Sequence, residues 1–119
     1  MSKAVKIYHN PRCSKSRETL NLLQSHGVEP EVVLYLETPA DAATLRQLLK
    51  MLGMESAREL MRRKEDLYAP LNLADSSLSE DELIQAMVEH PKLMERPIVV
   101  ANGQARIGRP PEHVLEIIG

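Results

Sequence analysis

The segment His9-Asn-Pro-Arg-Cys13-Ser-Lys-Ser-Arg17 gathers the residue types from which a nucleophile can be built. It puts one cysteine where a short strand should end and a helix begin. Helix N-termini expose backbone N–H groups with no partner inside the helix, and they carry a partial positive charge. A thiol placed there beside cations can have its pKa lowered to about 3.5–7.5, which makes thiolate available at neutral pH. The same N–H groups bind tetrahedral oxyanions, and Arg12, Lys15 and Arg17 add fixed positive charge. One site can therefore hold an oxyanion and attack it. The alternative is a structural cysteine packed under the first helix, since cysteine is among the residues most often buried. The polar Asn-Pro and Ser-Lys-Ser flanks favour the reactive role. His9, four residues before Cys13, is placed either to hold the thiolate through a charge-assisted hydrogen bond or to end a strand in a purely structural way. Ser16 stands three residues after Cys13, where a dithiol enzyme would carry its second cysteine, and its hydroxyl can donate to a thiolate.

The surrounding pattern supplies elements to position these residues. Ala4 to Tyr8 alternates as a first strand, and Ser14 to His26 reads as a helix with Leu20, Leu22 and Leu23 inward and Gly27 as its left-handed stop. Val32 to Leu36 is an apolar run of strand formers, expected as a second, buried strand parallel to the first through a right-handed crossover. Thr38-Pro39 is expected to open a helix that carries Leu45, Leu48, Leu49 and Leu52 on one face before Gly53. Ser56-Ala-Arg-Glu59 is a capping box for a short helix reaching about Lys64, and Tyr68 to Ser77 reads as loop. Ser79-Glu-Asp-Glu82 is a second capping box, stapled by Leu78 and Leu83, for a helix with Leu83, Ile84, Met87 and Val88 inward that stops at His90-Pro91. Ile98 to Ala101 and Gln104 to Ile107 are strands joined by Asn102-Gly103, the strongest hairpin signal in the chain, and Pro110 to Ile118 closes as a helix. The order is β-α-β, a helical insertion, then β-β-α. It predicts an α/β chain of thioredoxin/glutaredoxin topology with a four-stranded mixed sheet, one domain over 1–119 with the insertion inside 38–91.

Length and composition bound the function class. The 119 residues are the size of one domain, and 43% hydrophobic with 27% charged is ordinary for a globular chain. A net charge of −2 gives no electrostatic footprint for nucleic acid. A single cysteine excludes an intrachain disulfide and a cysteine-based zinc site, so no metal is expected. No apolar run approaches the roughly 20 residues that span a bilayer, and the opening residues carry no signal-peptide core. A cytoplasmic location, in a reducing compartment, is the expectation.

His9-Asn-Pro-x-Cys13-x-x-Ser-Arg17 resembles the active-site loop of the glutathione/glutaredoxin-dependent arsenate reductases, members of the thioredoxin superfamily. The resemblance continues through Tyr35-Leu-Glu-Thr-Pro39, Leu60-Met-Arg62, His90-Pro91, Arg96-Pro-Ile-Val-Val100 and Arg106-x-x-Arg109-Pro, in family order along nearly the whole chain. The Cys loop and the Arg-Pro-Ile block are distinctive singly; the set is distinctive together. The resemblance implies reduction of arsenate to arsenite through a covalent adduct on Cys13. It implies an oxyanion held by Arg62, Arg96 and Arg109, and a cis Pro97 opposite the cysteine, with His9, Ser16 and Arg17 supporting. Planar guanidinium groups suit a tetrahedral dianion because they donate paired hydrogen bonds. Arg63 and Arg106 are the neighbours that would take these places under a different register. With no resolving cysteine, electrons come from outside: the family uses glutathione as co-substrate and glutaredoxin as partner, with no bound cofactor. Arg12 and Ser14-Lys15 make this loop more basic than the family pattern, which either strengthens oxyanion binding or shapes the pocket for another anion or thiol substrate. Two other classes share the topology: a redox-responsive transcriptional regulator of the Spx type, which typically carries Cys-x-x-Cys where this chain has Ser16, and a monothiol glutaredoxin-like protein.

Overall fold

A computed structural model describes residues 5–62 and 68–118, and these divide into two compact units. The first comprises the described residues of 1–38 and 96–119; the second is 39–95.

In the first unit, β1 (Val5–Tyr8) runs into α1 (Ser14–Ser25) and returns as β2 (Glu31–Val33). After the second unit the chain re-enters as β3 (Ile98–Ala101) and β4 (Gln104–Ile107). The sheet order is β2-β1-β3-β4, with β1 parallel to β2 and antiparallel to β3, and β3 antiparallel to β4. This is the expected thioredoxin/glutaredoxin-like α/β arrangement with a four-stranded mixed sheet. Alternation sets the core. Val5 and Ile7 of β1 and Val99 and Ala101 of β3 form one apolar layer, and Leu23, Val114 and Ile117 pack into it. Asn102 and Gly103 both take positive φ (55° and 75°), the two-residue turn whose twist matches a hairpin. The Asn102 side chain also donates to the Ile117 carbonyl at 2.7 Å, tying the turn to the C-terminal segment.

Three first-unit expectations change. β2 is three residues long and starts at Glu31, because the Leu34 carbonyl accepts the N–H groups of Glu37 and Thr38, both at 2.9 Å, and turns the chain. It is an edge strand rather than a buried one: Val32, Leu34 and Leu36 are exposed and only Tyr35 is fully buried. The inner face of α1 is Ser16, Thr19 and Leu23, with Leu20 and Leu22 half-buried, so polar residues occupy two of the three most enclosed positions. The closing helix begins as a 3-10 turn, Pro111–Val114, and only Leu115–Ile118 (α4) is α-helical.

In the second unit, α2 spans Ala42–Leu52, with Leu45, Leu48 and Leu49 buried. It begins after Asp41 rather than at Pro39, because the Asp41 carboxylate accepts the Thr44 N–H at 2.8 Å and so supplies the cap. Gly53 ends it in the left-handed region. Both capping boxes form, at Ser56 with Glu59 and at Ser79 with Glu82. The first heads only a 3-10 turn, Ala57–Leu60. Its continuation is diverted when Met61 bridges Met94 and Arg62 N–H donates to the Leu93 carbonyl at 2.7 Å. Lys64, the expected helix end, lies outside the described residues. The second box starts α3 (Glu80–Glu89), which buries Leu83, Ile84 and Met87. Among the described residues no helix is long and apolar enough to cross a membrane.

The hairpin turn is directly testable. Asn102→Gly removes only the bond to Ile117 and should cost about 0.5–1.5 kcal/mol. Asn102→Ala also forces a Cβ-bearing residue without a local polar partner into the left-handed region, adding about 1 kcal/mol. Urea midpoints should rank native, then Gly, then Ala, at constant m-value.

Candidate active site

Cys13 is the N-cap of α1 and is 9% exposed. Its own N–H donates to the Asn10 carbonyl at 3.0 Å, and its carbonyl takes the Arg17 N–H at 3.0 Å, so the helix starts immediately after it. The preceding loop is held from both sides. His9 N–H donates to the Val33 carbonyl at 2.8 Å, which extends the β1–β2 pairing by one residue. Asn10 Oδ1 accepts the Arg12 N–H at 3.0 Å, a local Asn-headed turn of the kind this residue favours. Arg17 Nη1 donates to the Pro11 carbonyl at 2.8 Å.

His9 and Ser16 meet beneath the loop. His9 is 6% exposed and Ser16 fully buried, and His9 Nδ1 lies 2.6 Å from Ser16 Oγ. Ser16 Oγ also accepts the Asn10 N–H at 3.0 Å. Both bonds are satisfied when Ser16 gives its proton to Nδ1 of a neutral His9. Burial holds the His9 pKa below the usual imidazole value, and the Arg17 charge pushes it the same way. The Ser16 hydroxyl is thus engaged with His9 and Asn10 and orders the loop that leads into Cys13.

Arg109 reaches the cysteine from the other end of the unit. Its Nη2 donates to Cys13 Sγ at 3.6 Å, and its Nε donates to the Arg96 carbonyl at 2.8 Å. Of the two candidate arginines in this segment, Arg109 faces the sulfur, whereas Arg106 pairs with Glu116 at 2.9 Å. Arg96 precedes Pro97, and the Arg96–Pro97 bond is cis, as the resemblance implies; Arg109–Pro110 is cis as well. Arg96 Nε and Nη1 are buried with no hydrogen-bond partner among the described residues. Buried guanidinium N–H groups are costly without an acceptor, and an acceptor from outside the described residues would satisfy this pair. The first unit therefore brings Arg109 to Cys13 and ties Arg109 to the Arg96 carbonyl that precedes the cis Pro97, with His9, Ser16 and Arg17 bracing the Cys13 loop. Arg62 stands in the second unit, its Nε 3.9 Å from Glu95 Oε1. Arg63 lies outside the described residues. No group of three or more His, Cys, Asp or Glu side chains that could hold a metal occurs among the described residues.

Two positions that matter here have little sequence signal. A Cβ on Gly108 would stand 2.5 Å from Thr19 Oγ1 and 2.9 Å from Pro97 Cγ. Gly108 N–H donates to the Pro97 carbonyl at 2.9 Å, and Thr19 Oγ1 faces the Gly108 carbonyl at 3.5 Å. Gly directly after a strand can mark such a close backbone approach; nothing in the local pattern singles out Thr19.

The chain is similar to known proteins along nearly its whole length. The family described as ArsC matches residues 8–117. An Escherichia coli (strain K12) protein named "Uncharacterized protein YfgD" is 85% identical over the full length of both chains. An arsenate reductase of Neisseria meningitidis (serogroup A) is 50% identical over 114 residues, covering 96% of this chain and 97% of that one. The solved arsenate reductase of Vibrio cholerae superposes with a TM-score of 0.96 at 60% identity, covering 98% and 99% of the two chains.

Two outcomes follow from the packing and the charge. Gly108→Ala should destabilise the protein by about 1–3 kcal/mol through overpacking. In the Gly108→Ala/Thr19→Ala double variant the loss, read from urea midpoints, should be smaller than the sum of the singles, because the nearest obstructing atoms are gone; strict additivity would contradict the contact. For His9, a folded pKa below the unfolded value means that the unfolded chain binds the proton first. The stability from neutral His9 is fully present above about pH 6.5 and is lost as pH falls through the folded pKa. Melting temperature should therefore drop more between pH 7.5 and 5.5 in the native protein than in His9→Gln.

Proposed function

The chain belongs to the ArsC family, and on that premise we propose that it is an arsenate reductase that turns arsenate into arsenite through an adduct on Cys13, with glutathione and glutaredoxin as the source of electrons. One observation carries the reading. Cys13 Sγ lies 3.6 Å from Arg109 Nη2, and Arg109 is held by the carbonyl of Arg96, whose own guanidinium has two buried nitrogens without partners. The sulfur thus sits beside the Arg109 guanidinium, and the residue that anchors Arg109 carries donors that lack an acceptor.

In the proposed sequence, the Cys13 thiolate attacks arsenic, a sulfur–arsenic bond forms, and one arsenate oxygen leaves as water or hydroxide. Arg96, Arg109 and the N–H groups at the start of α1 hold the remaining oxygens and stabilise charge as that oxygen departs. Arg62 matches the first of the family's three arginines by its motif. Glutathione then attacks the Cys13 sulfur. A disulfide forms, the sulfur–arsenic bond breaks, and its electron pair stays on arsenic, which leaves as arsenite. Each sulfur has given one electron and arsenic has gained two. The dithiol of glutaredoxin then reduces the mixed disulfide and restores Cys13. An external donor fits a chain with one cysteine, and a cytoplasmic, reducing compartment would keep that thiol free. No bound cofactor enters the scheme. The Spx-type and monothiol glutaredoxin readings leave the unpartnered Arg96 nitrogens without a use.

NADPH consumption coupled through glutathione reductase, glutaredoxin and glutathione should depend on arsenate and vanish in Cys13→Ala. Arg109→Lys should lower kcat/KM for arsenate by about 10²-fold, the usual effect of removing one well-placed oxyanion donor, while the protein stays folded. Full activity in Arg109→Lys would remove the basis for this reading.

A further inference from the structure

The first unit also holds a cavity of about 370 Å3 that the oxyanion chemistry does not use. One wall is the loop from His9 to Arg12, which leads directly into Cys13; the other is Leu34, Leu36 and Glu37, just beyond β2. Its volume lies in the range of small-ligand sites. Three of the four large hydrophobic residues that stand exposed among the described residues, Val32, Leu34 and Leu36, belong to this stretch of chain. Their exposure follows from the local fold. β2 stops after three residues, Tyr35 takes the inward position, and the turn on the Leu34 carbonyl leaves Leu34 and Leu36 outward. Apolar side chains gathered beside a reactive loop are a common mark of a binding surface.

The charges at the two walls are opposite. Arg12 offers a guanidinium and Glu37 a carboxylate, and neither side chain has a hydrogen-bond or ion-pair partner among the described residues. A ligand that suits an apolar floor between a cation and an anion is a short zwitterion, carrying its own carboxylate and ammonium. The single cysteine of the chain adds the remaining condition, that a thiol from outside must come to Cys13. We propose that this cavity docks the peptide thiol that reduces the Cys13 adduct, with a ligand carboxylate on Arg12, its ammonium on Glu37, and its backbone and methylenes on Leu34 and Leu36. The assignment rests on the function proposed above, and it adds a second binding site, walled by Leu34 and Leu36, beside the Cys13 loop. The redox step is the one already balanced: the docked thiol supplies the sulfur that bonds to Cys13.

The probe is S-methylglutathione, which keeps the charges of glutathione and cannot react. Titrated into the native protein without arsenate, it should move the amide resonances of Arg12, Leu34, Leu36 and Glu37 in a saturable way. Glu37→Lys and Arg12→Glu should each weaken that binding about tenfold, the scale of one charge-assisted contact. In turnover, the ratio of kcat/KM for glutathione to that for the uncharged thiol 2-mercaptoethanol should fall by a similar factor in Glu37→Lys. Saturable shifts confined to other segments, equal shifts with glycylglycine, or shifts seen with glutaredoxin alone would each overturn the proposal. A native protein that binds the probe here but turns over no arsenate would overturn the function proposed above instead. Turnover with no binding at these residues would overturn the cavity assignment alone.

Discussion

At Gly108 three segments come closer than a side chain allows. α1 presents Thr19, the segment before β3 presents Pro97, and Gly108 follows β4; any Cβ there would lie 2.5 Å from Thr19 and 2.9 Å from Pro97. The helix that carries Cys13 at its head and the loop that carries Arg109 are therefore pressed together at one point. From that point each runs a short way: six residues back along α1 from Thr19 to Cys13, and one residue on from Gly108 to Arg109. Arg109 Nη2 and Cys13 Sγ, 3.6 Å apart, stand at the ends of these two short paths. Close-packed interiors transmit displacement instead of absorbing it, so the separation of sulfur and guanidinium follows the Thr19–Gly108 contact.

On the far side of Cys13 the control is electrostatic as well as steric. A histidine four residues before a thiol suggests a cation at the thiolate's side. Instead, burial and the charge of Arg17 both favour neutral His9, and its Nδ1 is taken up by Ser16. Positive charge near the sulfur comes from the Arg109 guanidinium. This division separates the two jobs: His9 and Ser16 hold the loop in shape, while arginine supplies the field.

Where local rules were strong, the fold was readable from the residues. Asn102-Gly103 forms its hairpin, both capping boxes close, and β3 and β4 fall on their expected residues. The errors came where two local signals competed. Pro39 is a good helix opener, yet Asp41 has a side chain that can cap, and the cap won. Val32 to Leu36 has the composition of a buried strand, but composition does not say which strand ends at the sheet edge; that depends on what pairs on its far side. The site divided in the same way. The Cys13 and Arg109 motifs stand out because reactive or charged side chains in distinctive patterns are visible in a sequence, whereas which of Arg106 and Arg109 lies beside the sulfur needed the register of β4 and its Glu116 partner. Thr19 and Gly108 act by fitting, and fit is a property of pairs distant in sequence.

The edge position of β2 also changes how its apolar residues should be understood. A strand with an unpaired side is a template for unwanted pairing, and proteins restrict that hazard by keeping edges short and placing charges on them. β2 has three residues and begins with Glu31, and the chain then turns away on the Leu34 carbonyl, so little hydrogen-bonding edge remains. Brevity answers the backbone hazard but leaves the side-chain one, since Val32, Leu34 and Leu36 keep their apolar surface in water. Leaving a leucine half in water forgoes about 1 kcal/mol of burial, a cost that polar substitutes would avoid at no loss to a strand this short. Their exposure has no use in the folding of the sheet, and for Leu34 and Leu36 the ligand-facing wall proposed above supplies one. The same turn that ends the strand early is what aims Leu34 and Leu36 into the cavity, so one backbone feature both silences the edge and builds the wall.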